Sequence, residues 1–247
     1  MTGPEGAGGV RSVQRALEIL NLLDENHAEL SIREIVEATQ LPKTTVLRLL
    51  HTLERNQLLS VSDEGRYCAG AGLLRWSRLA EQRWRLPEDG HEVLRGLARE
   101  HHETVHVYVR QDLDRVCIAQ AEGTRTLRHV VQVGDALPLW AGGVAKVLLT
   151  DAPDDLLARV ARRSPFGDSH MATLRTWVAD ASRNGYAVSH GEREEGLSAV
   201  AVPIHDKLGG VGAALSFGGP TSRFTDERVR VFVSALQEAA SLLGEAR

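Results

Sequence analysis

The chain has 247 residues, 43% of them hydrophobic, which suits two domains with real cores. Its formal net charge of -4 argues, taken as a whole, against a nucleic-acid binder, because basic patches supply that affinity. The two cysteines, Cys68 and Cys117, fall in different expected domains, so no disulfide framework is foreseen and a reducing cytoplasm fits; no segment is long and apolar enough to span a membrane.

Residues 1–10 are rich in glycine, lack an apolar signal core, and are expected to form a disordered tail. Residues 11–72 then show the layout of a winged helix-turn-helix. Val13, Ala16, Leu17, Leu20 and Leu23 have the spacing of one buried helical face. A second helix is announced by Ser31 with Glu34 three residues later, a capping-box pattern ahead of Ile35 and Val36, and a turn at Gln40 and Leu41 ends it. Pro42 suits the first position of a third helix running to about Asn56. There Val46, Leu49, Leu50 and Leu53 share one face, and Thr44, Arg48, His51 and Arg55 the opposite one. Lys43, Thr44, Thr45 and Arg48 lie near the N-terminal end of this helix, where a recognition helix reads base edges and phosphates. Wing strands are expected at 58–61 and 66–68. The turn formers Asp63, Glu64 and Gly65 between them leave Arg66 placed to reach a phosphate or a minor groove.

The charge distribution agrees with this layout and reverses the argument from the total. Residues 1–42 hold three basic against seven acidic side chains, residues 43–86 eight against four, and residues 87–247 eighteen against twenty-two. Positive charge is concentrated where the recognition helix and wing are expected.

A linker helix is expected over 73–86, with Leu73, Leu74, Trp76 and Leu79 among four arginines, closed by Pro87. It can also help pair two subunits. Residues 87–247 form the second domain. After a helix over 91–101, strands are expected at 104–110, 115–121 and 128–133, with Asp112 and Asp114 in a turn. Helices follow at 142–149, 154–161 and 173–184, the last stopped by Asn184 and Gly185. A hairpin pairs 199–205 with 211–217, and a final helix carries a stripe from Val229 to Leu243. This order gives an α+β domain with a largely antiparallel central sheet.

Within it, Leu139 to Val144 places two glycines at the start of a helix, where free NH groups attract carboxylates and a ligand can approach the backbone. The polar run Ser189 to Gly196 is expected to be a loop covering such a site. The adjacent Ser189 and His190, and His102 with His106, are weak signs of nucleophilic or metal chemistry. The first pair is of an incidental kind, and the two histidines straddle a helix-to-strand change. No enzyme activity, cofactor or metal site is expected.

Residues 11–244 resemble the IclR family of bacterial transcription regulators. The resemblance is carried by Ser12, Val13, Arg15, Ala16 and Leu17, by Leu41 to Thr45 with Val46, Arg48, Leu49 and Leu50, and by Val133, Gly134, Pro138 and Leu139. It continues through Gly185 to Ala187, Glu195, Gly196, Val200, Ala201, Pro203, Ser216 and Gly219. It implies a repressor acting as a homodimer or dimer of dimers on a palindromic double-stranded operator, with Arg15 joining the DNA-binding residues. It also implies a GAF-like C-terminal domain for a small-molecule effector, often a carboxylate, with Gly143, Val144, Ser189, Ala199 and Ser216 lining the pocket and Trp140 nearby. Ala145 stands where the family usually has Gly, Trp140 where His is frequent, and Ser189 and Ala199 where some relatives carry an acid and a cysteine. A regulator sensing a protein partner is the alternative.

Overall fold

The structure, a computed structural model, describes residues 9–245; of the expected tail, residues 1–8 lie outside them. The chain divides into two compact units, Met1–Trp84 and Arg85–Arg247.

In the first unit, helices α1 (Arg11–Leu20), α2 (Ile32–Thr39) and α3 (Lys43–Arg55) surround a core of Ile19, Leu30, Ile35, Val46, Leu50, Leu53 and Leu59. Burying each such side chain contributes about 1.5–3 kcal/mol before entropy is counted. The expected face of α1 is corrected at two positions: Val13 and Leu17 are exposed (55% and 48%), and Ile19 is the buried anchor, with Ala16 and Leu20 beside it. At 100° per residue Leu17 sits roughly 160° around the helix from Ile19, so the two cannot both face inward. The capping box forms as expected. Ser31 Oγ accepts from the Glu34 amide at 3.3 Å and the Ser31 amide donates to Glu34 Oε2 at 2.7 Å. Gln40 ends α2 in the left-handed conformation (φ 53°), which turns the chain into α3. The wing strands are β2 (Leu59–Val61) and β3 (Tyr67–Ala69); a short strand β1 (Glu29–Leu30), absent from the sequence reading, joins them in the order β1-β3-β2. Two residues are too few to show alternation, so β1 left no pattern to read. Helix α4 (Leu73–Trp84) follows, with no buried residue within its unit and with Leu74, Trp76 and Leu79 exposed.

The second unit opens with α5 (Glu88–His101) and builds one antiparallel sheet from β4 (Thr104–Gln111), β5 (Asp114–Ala121), β6 (Ala136–Pro138), β7 (Ala187–His190), β8 (Leu197–His205) and β9 (Val211–Pro220), in the order β6-β5-β4-β9-β8-β7. Helices α6 (Gly143–Leu148), α7 (Asp154–Arg163) and α8 (Met171–Asn184) bury one face of the sheet with Tyr108, Cys117, Ala187, Ala201 and Ala214. The terminal helix α9 (Asp226–Glu245) packs on the other: Phe232 meets Phe217 with ring centroids 4.7 Å apart. Successive strand residues point to opposite faces, so Ser216, next to Phe217, looks toward α6.

Two expectations for this unit are corrected. Residues 128–133 form no strand. Their chain turns back where the Gln132 amide donates to Asp135 Oδ2 at 2.9 Å, and β6 takes the free edge of β5 instead. Ser189 and His190 belong to strand β7, paired to β8, so the covering loop is shorter, residues 191–196.

Replacing Ser31 by alanine removes one partner of the capping box and is expected to cost about 1 kcal/mol. Faster amide hydrogen exchange confined to the first turn of α2 would show it; unchanged exchange there would mean that packing alone sets that helix start.

Candidate functional site

On the first unit, α3 presents Lys43, Thr44 and Arg48 to solvent with Thr45 half-buried beside them, and neither Lys43 nor Arg48 makes an ion pair among the described residues. Arg15, on α1, is half-buried. Leu47, 39% exposed, adds an apolar contact to this surface. Arg66 departs from the expectation of a free wing arm. Its Nη2 donates to Glu34 Oε2 at 2.9 Å and to the Glu29 carbonyl at 3.0 Å, which fastens the wing to the start of α2. Glu34 is held down to about 2 by the bonds from Ser31 first and then by Arg66.

In the second unit a cavity of about 40 Å³ lies between the sheet and the start of α6. That is room for about three water-sized groups. Its existence follows from side-chain size. Ser189, Ala199 and Ser216 face it from three strands, where larger residues would fill it. The sheet register sets these beside the opposite wall: Ser189 pairs with Ala199, and Ser216 pairs with both Ala201 and His106. Gly143 and Val144 close the α6 side. A Cβ on Gly143 would stand 3.1 Å and 3.2 Å from the carbonyl oxygens of Ala187 and Ala199, so this glycine admits the helix to the strands rather than a ligand to the backbone. Trp140 is not at this cavity. It lines a neighbouring surface groove with Phe166, His170 and Trp177, and its carbonyl accepts from His170 Nε2 at 2.7 Å.

The place expected for a ligand's carboxylate is taken by the protein's own. Glu192, from the covering loop, accepts from the Gly142 amide at 3.0 Å through Oε2 and from Lys146 Nζ at 2.5 Å through Oε1. Lys146 is itself buried, donates to the Val188 carbonyl at 2.9 Å, and lies 4.2 Å from the centre of the Trp177 ring.

The far wall is built from residues the sequence reading did not select: His106 and Tyr108 on β4, Arg115 on β5, His129, and Arg193 in the loop, the last paired with Glu194 at 3.6 Å. Arg115 is buried and makes no ion pair among the described residues. Its Nη1 donates to the carbonyls of Pro138 at 2.7 Å and Ala141 at 2.9 Å, and its Nε has no partner. The His106 and His129 rings stand 5.3 Å apart, and His106 Nε2 and His129 Nδ1 are likewise unpartnered. Burial, with Arg115 and other positive neighbours, pushes His106 down to about 3 and His129 to about 4; burial lowers Arg115 to about 10 and raises the Tyr108 hydroxyl. The alternation of Thr104, His106 and Tyr108 along β4 was the available signal. It stayed silent because an isolated polar residue in a strand has no helical or loop motif to mark it.

The other histidine pairings dissolve. His190 bonds Ser198 Oγ at 2.8 Å rather than Ser189, and His102 caps α5 with its Nδ1 on Thr124 Oγ1 at 2.7 Å.

A helix-turn-helix unit followed by an α+β unit with an enclosed, cation-walled cavity is the construction of a DNA-binding transcription regulator. Residues 12–62 match the IclR helix-turn-helix domain and residues 81–244 the bacterial transcriptional regulator IclR C-terminal domain. The chain belongs to the IclR family. It is 29% identical to the transcriptional repressor IclR of Escherichia coli over 94% of this chain and 88% of that protein. A crystal structure of an IclR-family regulator from Rhodococcus sp. is 42% identical, covers 99% of this chain and 97% of its own, and superposes with a TM-score of 0.65. An IclR homologue from Microbacterium hydrocarbonoxydans, crystallised with 4-hydroxybenzoate, shares the fold at 21% identity and a TM-score of 0.71, over 95% of this chain and 98% of its own.

Because both cavity imidazoles are neutral when folded and titrate near 6.5 when unfolded, the unfolded chain gains protons first as pH falls. Their contribution to stability is therefore present above about pH 6.5 and lost down to about pH 4 and 3, by up to about 1.4 kcal/mol per pH unit for each. Thermal unfolding at pH 8, 6.5, 5 and 4 is expected to show this fall, and His106→Gln to flatten it.

Proposed function

We propose that the protein is a ligand-controlled repressor. It binds a palindromic operator as a homodimer or dimer of dimers, and an organic carboxylate, for which the C-terminal cavity must widen beyond its volume of about 40 Å³, changes its hold on DNA. The observation that carries the effector reading is Arg115, a buried guanidinium with two carbonyl bonds and, among the described residues, an unpartnered Nε and no carboxylate at ion-pair distance, Asp114 and Glu192 acting on it only from farther off. An anion supplies what the wall lacks. Tyr108, whose ring lies 5.8 Å from the Arg115 guanidinium carbon, gives an aromatic or apolar body a surface to rest on. The Microbacterium homologue's 4-hydroxybenzoate is an acid of this class. The repressor role is supported by the curated relative of that description.

On DNA, Lys43, Thr44, Thr45 and Arg48 approach the major groove with Arg15 at its edge, and Arg66 acts indirectly by holding the wing in place. Two copies reach successive major grooves roughly 34 Å apart. The effector works only through a difference in its affinity for the DNA-competent and DNA-incompetent arrangements.

Three variants separate these roles. Arg48→Ala is expected to weaken operator binding by about 1–3 kcal/mol with unchanged melting temperature. Arg66→Ala should lower the stability of the first unit before it affects DNA. Arg115→Gln should bind operator normally and lose its response to acids. The measurement is a mobility shift on the protein's own upstream DNA with a panel of aromatic acids, keto acids and amino acids. A shift that no acid alters, from folded protein, would overturn the effector reading; a variant Arg115→Gln that still responds would remove Arg115 from it.

A further inference from the structure

The two imidazoles at the cavity wall are not needed to hold the fold's hydrogen bonds. His106 Nε2 and His129 Nδ1 are buried with no partner among the described residues, although three serines, a tyrosine and several charged groups line the same space. His129 lies so close over β9 that a Cβ on Gly218 would come within 2.6 Å of its Nδ1, so the absence of a side chain at Gly218 is what admits the ring. Leaving two buried ring nitrogens unsatisfied costs stability. Such groups persist where a ligand completes them.

We propose that the effector acid enters this cavity together with one proton from solvent, and that the proton comes to rest on the His106–His129 pair. This rests on reading the cavity as the effector site.

The argument is one of charge balance. Arg115 from β5 and Arg193 from the loop face the pair as cations, Tyr108 from β4 as a neutral phenol, and Glu192 and Glu194 from the loop as acids. Of the two acids, Glu192 is committed to Lys146 and the Gly142 amide, and Glu194 lies against Arg193. Burial first, then Arg115 and, for His129, Arg193, keep both rings neutral. A carboxylate entering between them cancels that repulsion and offers an acceptor to an imidazolium N–H, so the proton affinity of the pair rises on binding. Reciprocity then requires that protons tighten the binding of the acid.

The test is calorimetry on the full-length protein with benzoate, 4-hydroxybenzoate, pyruvate and acetate, whose carboxyl groups stay ionised between pH 6 and 8. Any acid that binds is expected to do so roughly 3- to 10-fold more tightly at pH 6 than at pH 8. At one pH the heat should differ between two buffers of unlike ionisation enthalpy by the amount for proton uptake. His129→Asn should bind the acid with that dependence reduced, and His106→Gln serves as the second variant, each checked for an intact melting transition. Equal affinity at both pH values with buffer-independent heat overturns the proton coupling alone. A dependence surviving intact in both variants places the proton elsewhere and also overturns it. If none of the four acids binds, the effector reading falls and this inference falls with it.

Discussion

The C-terminal unit is organised around one costly group, the buried guanidinium of Arg115. Removing such a cation from water costs several kcal/mol even after relaxation. Here the compensation comes from backbone oxygen. The carbonyls of Pro138 and Ala141 fix the chain between β6 and α6, so the arginine proposed to meet an anion also shapes the wall around it. Gly142 makes that turn in a positive-φ conformation (98°) that side-chain-bearing residues rarely adopt. Buried carboxylates elsewhere do not share this need. Glu103, fully buried, is held by Arg223 at 2.6 Å through both oxygens and is structural.

Small residues create the cavity and a charged loop closes it. Ser189, Ala199 and Ser216 leave space on three neighbouring strands that α6 cannot fill, because Gly143 already brings it against the carbonyls of β7 and β8. Glu192 then occupies the helix start that a ligand's carboxylate would otherwise prefer. Under the proposed reading an effector's charge would be directed to the opposite wall, because the protein itself fills one of the two anion positions.

The sequence was most legible where a motif states its own geometry. Ser31 with Glu34, the entry of α3 after Pro42, and the α3 stripe of Val46, Leu50 and Leu53 all reappear in the structure, because capping and helical periodicity are local. The resemblance to the IclR family likewise placed Gly143, Val144, Ser189, Ala199 and Ser216 around one cavity. What failed was non-local. Residues 128–133 have strand composition but pair with no strand, β1 is too short to read, and Arg66 points at Glu34, thirty-two residues away. His106 and Arg115 come together through the register of β4 and β5, and His129 reaches them from a loop laid over Gly218 of β9; a single sequence displays neither.

The burial of Lys146 has a practical side. The chain holds three lysines, Lys43, Lys146 and Lys207. With Lys146 shielded by Glu192 and Trp177, an amine-directed label distributes over Lys43 and Lys207, both exposed, beside the chain's own N-terminus. One side chain is on the proposed recognition helix and the other in the β8–β9 hairpin, so a lysine-directed footprint separates the two units by chemistry alone, with Lys43 reporting occupancy by DNA and Lys207 serving as its internal standard.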